Sequence, residues 1–159
     1  MENKNTATAK ELYRVIQVMF YAMTFGVVLF SAVLFFVSKI FEPVTKDGKA
    51  INTILIIVLF ICVVLLTIAA ILHKKKMAAI SNDISLAEKL NGYRQALVIY
   101  LAFSEAMICI SMISYVFTGT IHFIVIAGIL WLNMFLKNPG KSKIFNELKL
   151  NSEEQLELN

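Results

Sequence analysis

The chain has 159 residues, 58% of them hydrophobic and only 16% charged, with a formal net charge of +4 at pH 7. Soluble domains usually carry about 25% charged residues, so this composition argues against an ordinary soluble domain. The charges are also segregated, because three long runs hold almost no ionisable side chains. Such runs are typical of a helical membrane protein.

The three runs predict four membrane-spanning helices. Residues 15–38 and 51–73 contain no Asp, Glu, Lys or Arg, and residues 95–136 contain only Glu105. A helix needs about 20 apolar residues to cross the hydrocarbon core, so the third run is long enough for two. Thr118-Gly119-Thr120 provides a turn between them. We therefore predict an all-α fold with one membrane domain over residues 1–140 and spans at about 15–40, 52–73, 95–117 and 120–136.

The connections between the spans are short. An Asp47-Gly48 pair in the first loop is typical of a turn. In the second loop, Ser85 with Glu88 predicts a capping box, and Asn91-Gly92 predicts a helix stop. These signals indicate a short amphipathic helix in the second loop, separate from the third span.

The last segment, residues 141–159, is predicted to be a cytoplasmic tail. Ile144, Phe145 and Leu148 have the spacing of one face of a short helix, which could lie on the membrane. The acidic end, residues 153–157, is either a solvated segment or a docking site for a partner.

The distribution of basic residues predicts the orientation. The two tails and the second loop carry three, four and five Lys or Arg residues, twelve together, against three in the first loop. The positive-inside rule then places both termini in the cytoplasm. The basic excess is accounted for by topology and lipid headgroups, so we expect no nucleic-acid partner. Arg14, Arg94 and Trp131 are predicted to be anchors at the membrane interface.

The chain contains a candidate internal repeat. Its only arginines, Arg14 and Arg94, each follow a tyrosine and each open a predicted span. Aligned 80 residues apart, the two segments also match at Ser31 and Ser111, with Thr24 opposite Ser104. We therefore predict two tandem helical hairpins related by an axis along the membrane normal. The position equivalent to Glu105 is Phe25.

Glu105 is the candidate functional residue, because it is the single acidic side chain in the third run. At 1.5 Å per residue it lies roughly 16 Å from Arg94 along a helix, near the middle of a core about 30 Å thick. An ionised carboxylate there costs on the order of 3 kcal/mol, and hydrocarbon favours the neutral form. Glu105 is therefore either hydrogen-bonded, with Thr24 and Thr67 as possible acceptors or with a partner, or it exchanges a proton or cation.

A polar stripe accompanies this residue in the sequence. Tyr100, Ser104, Ser111 and Tyr115 recur at spacings of four and seven, and Thr24 with Ser31 forms the equivalent pair in the first span. Small hydroxylated residues let membrane helices approach and hydrogen-bond. The stripe is therefore either a helix–helix interface or a polar path to Glu105.

Two resemblances follow from these residues. The segment "YRQALVIYLAFSEA" resembles the carboxylate helix of rotary ATPase c-subunits, which implies that Glu105 is a proton- or sodium-binding carboxylate. The second span contains no glycine, unlike the Gly-rich partner helix of that family. Over most of its length, with "GYR", "SEA" and "SYVFTG" in order, the chain is similar to a family of small uncharacterised bacterial four-span membrane proteins. That resemblance implies the bacterial inner membrane and no particular activity.

The sequence contains no phosphate-binding glycine loop, paired carboxylates, metal-ligand cluster or activated serine. We therefore expect no enzyme activity, no cofactor and no metal. The preferred hypothesis is a multi-pass membrane subunit that acts by self-association or by binding a membrane-complex partner. The alternative is a proton- or cation-translocating subunit that uses Glu105.

Overall fold

The structure, a computed structural model, describes residues 3–81 and 83–158, with side chains from residue 9 onward. Residues 1, 2, 82 and 159, which fall within the predicted domain and tail, lie outside the described residues. The described elements are all helices, as the sequence predicts. They are α1 (Asn3–Ile40), α2 (Gly48–Ala78), α3 (Leu86–Thr118), α4 (Ile121–Phe135), α5 (Lys141–Glu147) and α6 (Ser152–Leu158).

Three of these helices, α1, α2 and α3, are long and apolar enough to cross a membrane. Each of the first three predicted spans falls within one of them. The fourth corresponds to α4, whose 15 residues extend about 22 Å, less than a hydrocarbon core of about 30 Å. Large apolar side chains such as Phe25 and Phe60 are more than 60% exposed, as is expected of surfaces that contact lipid.

Local capping defines where the helices begin and end. The Asp47 carboxylate accepts hydrogen bonds from the backbone N–H groups of Lys49 and Ala50, so the predicted Asp47-Gly48 turn is the N-cap of α2. The capping box predicted for Ser85 and Glu88 is confirmed at the start of α3. Gly119 ends α3 in the left-handed conformation, with φ 66°, and the predicted turn is confirmed.

The predicted helix stop at Asn91-Gly92 is wrong. Helix α3 continues through both residues, so the expected amphipathic helix and the third span are one element of 33 residues. Gly92 serves a packing role instead: a Cβ atom there would lie 3.0 Å from Cγ1 of Ile80. The glycine allows the segment after α2 to approach α3 closely.

Helix α3 is the centre of the bundle, packed against α1, α2 and α4. Helices α1 and α2 share at most a marginal contact in the described residues, so they do not form the self-contained first hairpin that the sequence predicted. The predicted bundle exists, but its organisation is one central helix with three neighbours. The internal repeat stays a prediction from the alignment.

The last two helices fold against one end of the bundle, called the tail end below. Ile144, Leu148, Leu150 and Leu158 are buried against the rest of the protein, and α6 packs on α1. The acidic segment therefore lies against protein and is not simply a solvated tail, and Ile144 and Leu148 are covered by protein and do not face a membrane. At the opposite end, the backbone N–H of Val44 donates to the carbonyl of Phe117 at 2.9 Å.

Candidate functional site

Glu105 lies on the flank of α3, between its buried and its exposed surfaces. Ser104 and Met107 are buried, whereas Ala102 and Ala106 are exposed, and Glu105 is half-buried. This intermediate position follows from helical geometry, because successive residues turn about 100° around the axis. The carboxyl group therefore reaches the surface of the bundle and does not point into its centre.

The carboxyl group of Glu105 has no hydrogen-bond or ion-pair partner within residues 9–81 and 83–158. The hydroxyl groups of Thr24 and Thr67, the possible acceptors suggested by the sequence, donate to the backbone carbonyls of Phe20 and Val63. A polar group held in hydrocarbon without a partner costs several kcal/mol, roughly 2–7 by transfer measurements. The described fold thus provides no hydrogen-bond or ion-pair partner for this carboxyl group.

One face of α3 is not covered by the rest of the described chain. It consists of five exposed residues at alternating spacings of seven and four, which places them on one side of the helix. We call this the open face of α3: Gln95, Ala102, Ala106, Ile113 and Phe117. Glu105 lies beside its centre, which is formed by two alanines. Small residues allow a second helix to approach closely.

The predicted polar stripe lies on a different side of α3. Tyr100, Ser104, Ser111 and Tyr115 are buried within the bundle, as is Thr24, and Ser31 is half-buried. The hydroxyl groups of Ser104 and Ser111 donate to carbonyls four residues earlier. The two serine hydroxyl groups are thus satisfied within α3 itself, as suits close helix packing. Within the described residues it makes no hydrogen bond to Glu105.

Tyr100 forms a polar cluster that the sequence pattern did not indicate. Its hydroxyl group donates to the Asn133 carboxamide of α4. The His73 ring of α2 packs edge-on against the Tyr100 ring at 5.8 Å, and the Lys137 ammonium group lies 5.0 Å from its centroid. The turn at Gly119 makes α3 and α4 antiparallel, which brings the first half of α3 beside the end of α4. The sequence carried no signal that paired Tyr100 with Asn133 in particular.

This cluster changes the expected depth of Glu105. Tyr100 precedes Glu105 by five residues, about 7.5 Å along the helix, and it carries a lysine side chain on its ring. On the same helix, Arg94 lies eleven residues before Glu105 and is therefore farther away. The structure therefore places a charged group closer to the level of Glu105 than the sequence indicated.

The predicted interface anchors have different environments. Arg14 is exposed and Arg94 is half-buried. The Trp131 ring stacks on Phe135 at 5.6 Å, and its indole N–H is buried without a hydrogen-bond partner in the described residues. The role of all three as membrane anchors stays a prediction.

A buried ion pair joins the tail to α3. The Lys89 ammonium group lies 2.6 Å from a carboxylate oxygen of Glu154, and the two side chains are 5% and 15% exposed. Glu154 also caps α6, because it accepts from the backbone N–H of Asn151. The sequence hinted at half of this pair, since Lys89 lies among the buried residues Leu86, Leu90 and Tyr93 at helical spacing. Nothing in the sequence indicated its partner 65 residues later.

Among the described residues, no group of three or more His, Cys, Asp or Glu side chains could hold a metal ion. Comparison with protein-family models, with curated proteins and with solved structures gives no match for this chain. The resemblances to c-subunits and to the small bacterial four-span proteins therefore stay predictions.

Proposed function

We propose that the protein is an integral membrane subunit of the bacterial inner membrane, with both termini in the cytoplasm, that acts by association. Its interface would be the open face of α3, with Glu105 at the edge. The protein would work through the assembly that it forms and not through chemistry of its own.

The observation that carries this proposal is the carboxyl group of Glu105, which has no partner in the described chain. A protonated carboxyl group can donate one hydrogen bond and accept others. A second copy, docked through the open face about a two-fold axis, would present the same residue in return. Ala102 and Ala106 would allow the two helices to approach closely enough for this pairing.

Disulfide cross-linking in native membranes tests the interface directly. Cys109 lies one turn from Glu105 and is half-buried, whereas Cys62 is buried. In a Cys62→Ala background, mild oxidation is expected to link two copies through Cys109. The matched control carries Cys62→Ala, Cys109→Ala and Val63→Cys, which places the thiol on α2 at a position that is 63% exposed.

The cross-linking result is read with two Glu105 variants. Glu105→Gln keeps a hydrogen-bonding group and should retain much of the dimer, whereas Glu105→Leu should lose most of it. Equal cross-linking from the Val63→Cys control would contradict the proposed interface. So would a wild-type protein that stays monomeric in native mass spectrometry from gentle detergent and brings down no partner.

A second function, proton or cation translocation centred on Glu105, is favoured by the same carboxyl group having no cationic partner in the described chain. Carbodiimide labelling distinguishes the two functions. Under the second, the reagent should modify wild-type protein, cations or high pH should suppress the reaction, and Glu105→Gln should abolish ion flux in liposomes. If that variant supports wild-type flux and the wild type is not labelled, this alternative is rejected.

A further inference from the structure

A cavity of about 410 Å³ opens at the tail end of the bundle, between the end of α2 and the segment that follows α5. Its walls include Lys74, Met77 and Ile80 from the α2 side, and Glu147 and Lys149 from the tail. Cavities of roughly 300–1,000 Å³ are the size that holds small ligands. The docked tail completes the cavity, since one wall comes from residues 74–80 and the other from residues 147–149.

The charges around this cavity are mostly positive. Lys74 and Lys149 have no carboxylate or other hydrogen-bond partner in the described part of the chain. The Glu147 carboxylate is the acidic group on the wall of this cavity. Two unpaired ammonium groups facing one cavity suit a ligand that carries a phosphate group.

Lys143, in the same part of the molecule, interacts electrostatically with Glu147 and with Lys137. Burial lowers the pKa of Lys143, the neighbouring charge of Lys137 lowers it further, and Glu147 opposes both effects. The Lys143 ammonium group donates to the carbonyl of Leu136 at 3.0 Å, which fixes its position near α4. Neither Lys137 nor Lys143 lines the cavity, so the cations on its wall in the described chain are Lys74 and Lys149.

The backbone at Lys149 is held in an unusual conformation. Its φ angle of 49° is the only positive value at a non-glycine residue in the described chain, and such residues rarely adopt this region. Leu148 and Leu150 are both buried on either side. The burial of these two leucines maintains the turn, and the turn brings Lys149 to the wall of the cavity.

We infer that this cavity binds the phosphate-bearing headgroup of an anionic phospholipid. Lys74 follows directly on the apolar part of α2, where Ile71 and Leu72 are exposed, so it lies at the level where lipid phosphates meet acyl chains. A headgroup at Lys74 could extend its acyl chains along those side chains. Basic pockets at the ends of membrane helices bind anionic lipids in this way. This position favours a lipid over a free phosphate ion.

Native mass spectrometry of the full chain with bound lipid tests the inference. The probes are phosphatidylglycerol and phosphatidylcholine with identical acyl chains, and inorganic phosphate without lipid. Wild-type protein should retain phosphatidylglycerol in preference to phosphatidylcholine. The double variant Lys74→Gln/Lys149→Gln should weaken that retention by about fivefold per lysine.

The matched control is Lys75→Gln/Lys76→Gln, which removes the same charge from neighbouring residues that do not line the cavity. It should retain phosphatidylglycerol nearly as well as the wild type. Equal losses in the two double variants would show diffuse attraction and overturn the site. Equal retention of both lipids, or stabilisation of the protein by inorganic phosphate alone to the same extent as by phosphatidylglycerol, would overturn the lipid assignment. Neither result would affect the proposed association through α3.

Discussion

Helices α2 and α3 have similar lengths, 31 and 33 residues, but opposite environments. The most apolar 18-residue stretch of α2 has a mean hydropathy of 3.5, and 17% of that stretch is buried. The corresponding stretch of α3 has a mean hydropathy of 2.1, and 50% of it is buried. In a soluble protein the more apolar helix would take the centre. In a bilayer the lipid solvates apolar side chains, so polar and small residues gain most from contact with other helices. The less apolar helix therefore lies in the middle.

The largest expected effect concerns the ion pair that holds α3 to the tail. Glu154→Leu leaves the Lys89 ammonium group buried without a partner, and we expect it to destabilise the fold by about 3 kcal/mol. Unfolding by SDS in mixed micelles measures this change. The exposed Lys76→Met on α2 is the control, with an expected effect within about 0.5 kcal/mol.

The double variant Lys89→Met/Glu154→Leu tests whether the site requires two opposite charges or only side chains that fill its volume. Replacing both charges with apolar side chains should restore most of the lost stability, apart from about 1 kcal/mol for the lost cap of α6. If Glu154→Leu alone were neutral, the tail would not be anchored to α3 by this contact.

The next prediction compares the stability lost when a buried side chain of α3 and an exposed side chain of α2 are each shortened. Leu101 of α3 is fully buried and Ile57 of α2 is 51% exposed. We expect Leu101→Ala to cost about 2–4 kcal/mol, because it leaves a cavity in the bundle. Ile57→Ala should cost far less, since lipid can fill the space. The same unfolding assay measures both, and equal losses would contradict the central position of α3.

The glycines at the ends of these helices should respond oppositely to alanine. Gly119 has a positive φ, and a Cβ atom there would lie 2.8 Å from Cγ of Pro43. Gly119→Ala should therefore destabilise by about 1–2 kcal/mol or more. Gly48 at the start of α2 has open space around its Cα, so Gly48→Ala should be neutral or stabilise by about 0.5 kcal/mol. A neutral Gly119→Ala would show that the turn between α3 and α4 relaxes easily.

The smallest difference is expected between the two N-caps. Ser85→Ala and Asp47→Ala each remove a side-chain acceptor from the first turn of a helix, at a cost of about 1 kcal/mol. The two losses should be similar, because capping is local and both residues are exposed. A much larger loss for Ser85→Ala would mean that the capping box also supports packing of α3.

The sequence was most informative where the physical cause is local. The runs with few charges predicted the long apolar helices. The Ser85 and Gly119 signals predicted a helix start and a turn, although the sequence assigned Ser85 to a separate short helix and not to α3. It failed at Asn91-Gly92, because a glycine that permits close packing has the same local signature as one that ends a helix. For the site, it identified Glu105 as unusual and gave the polar stripe, but it could not separate the faces of α3 on which they lie.

The sequence by itself determined the class of this protein, since long apolar helices and their caps depend on neighbouring residues and on the thickness of a bilayer. Only the tertiary structure decided which helix is central, that the tail packs on the bundle, and that Lys89 meets Glu154. Those features depend on contacts between residues that are distant in the chain. Hydropathy, which is a sum over neighbouring residues, contains no information about them.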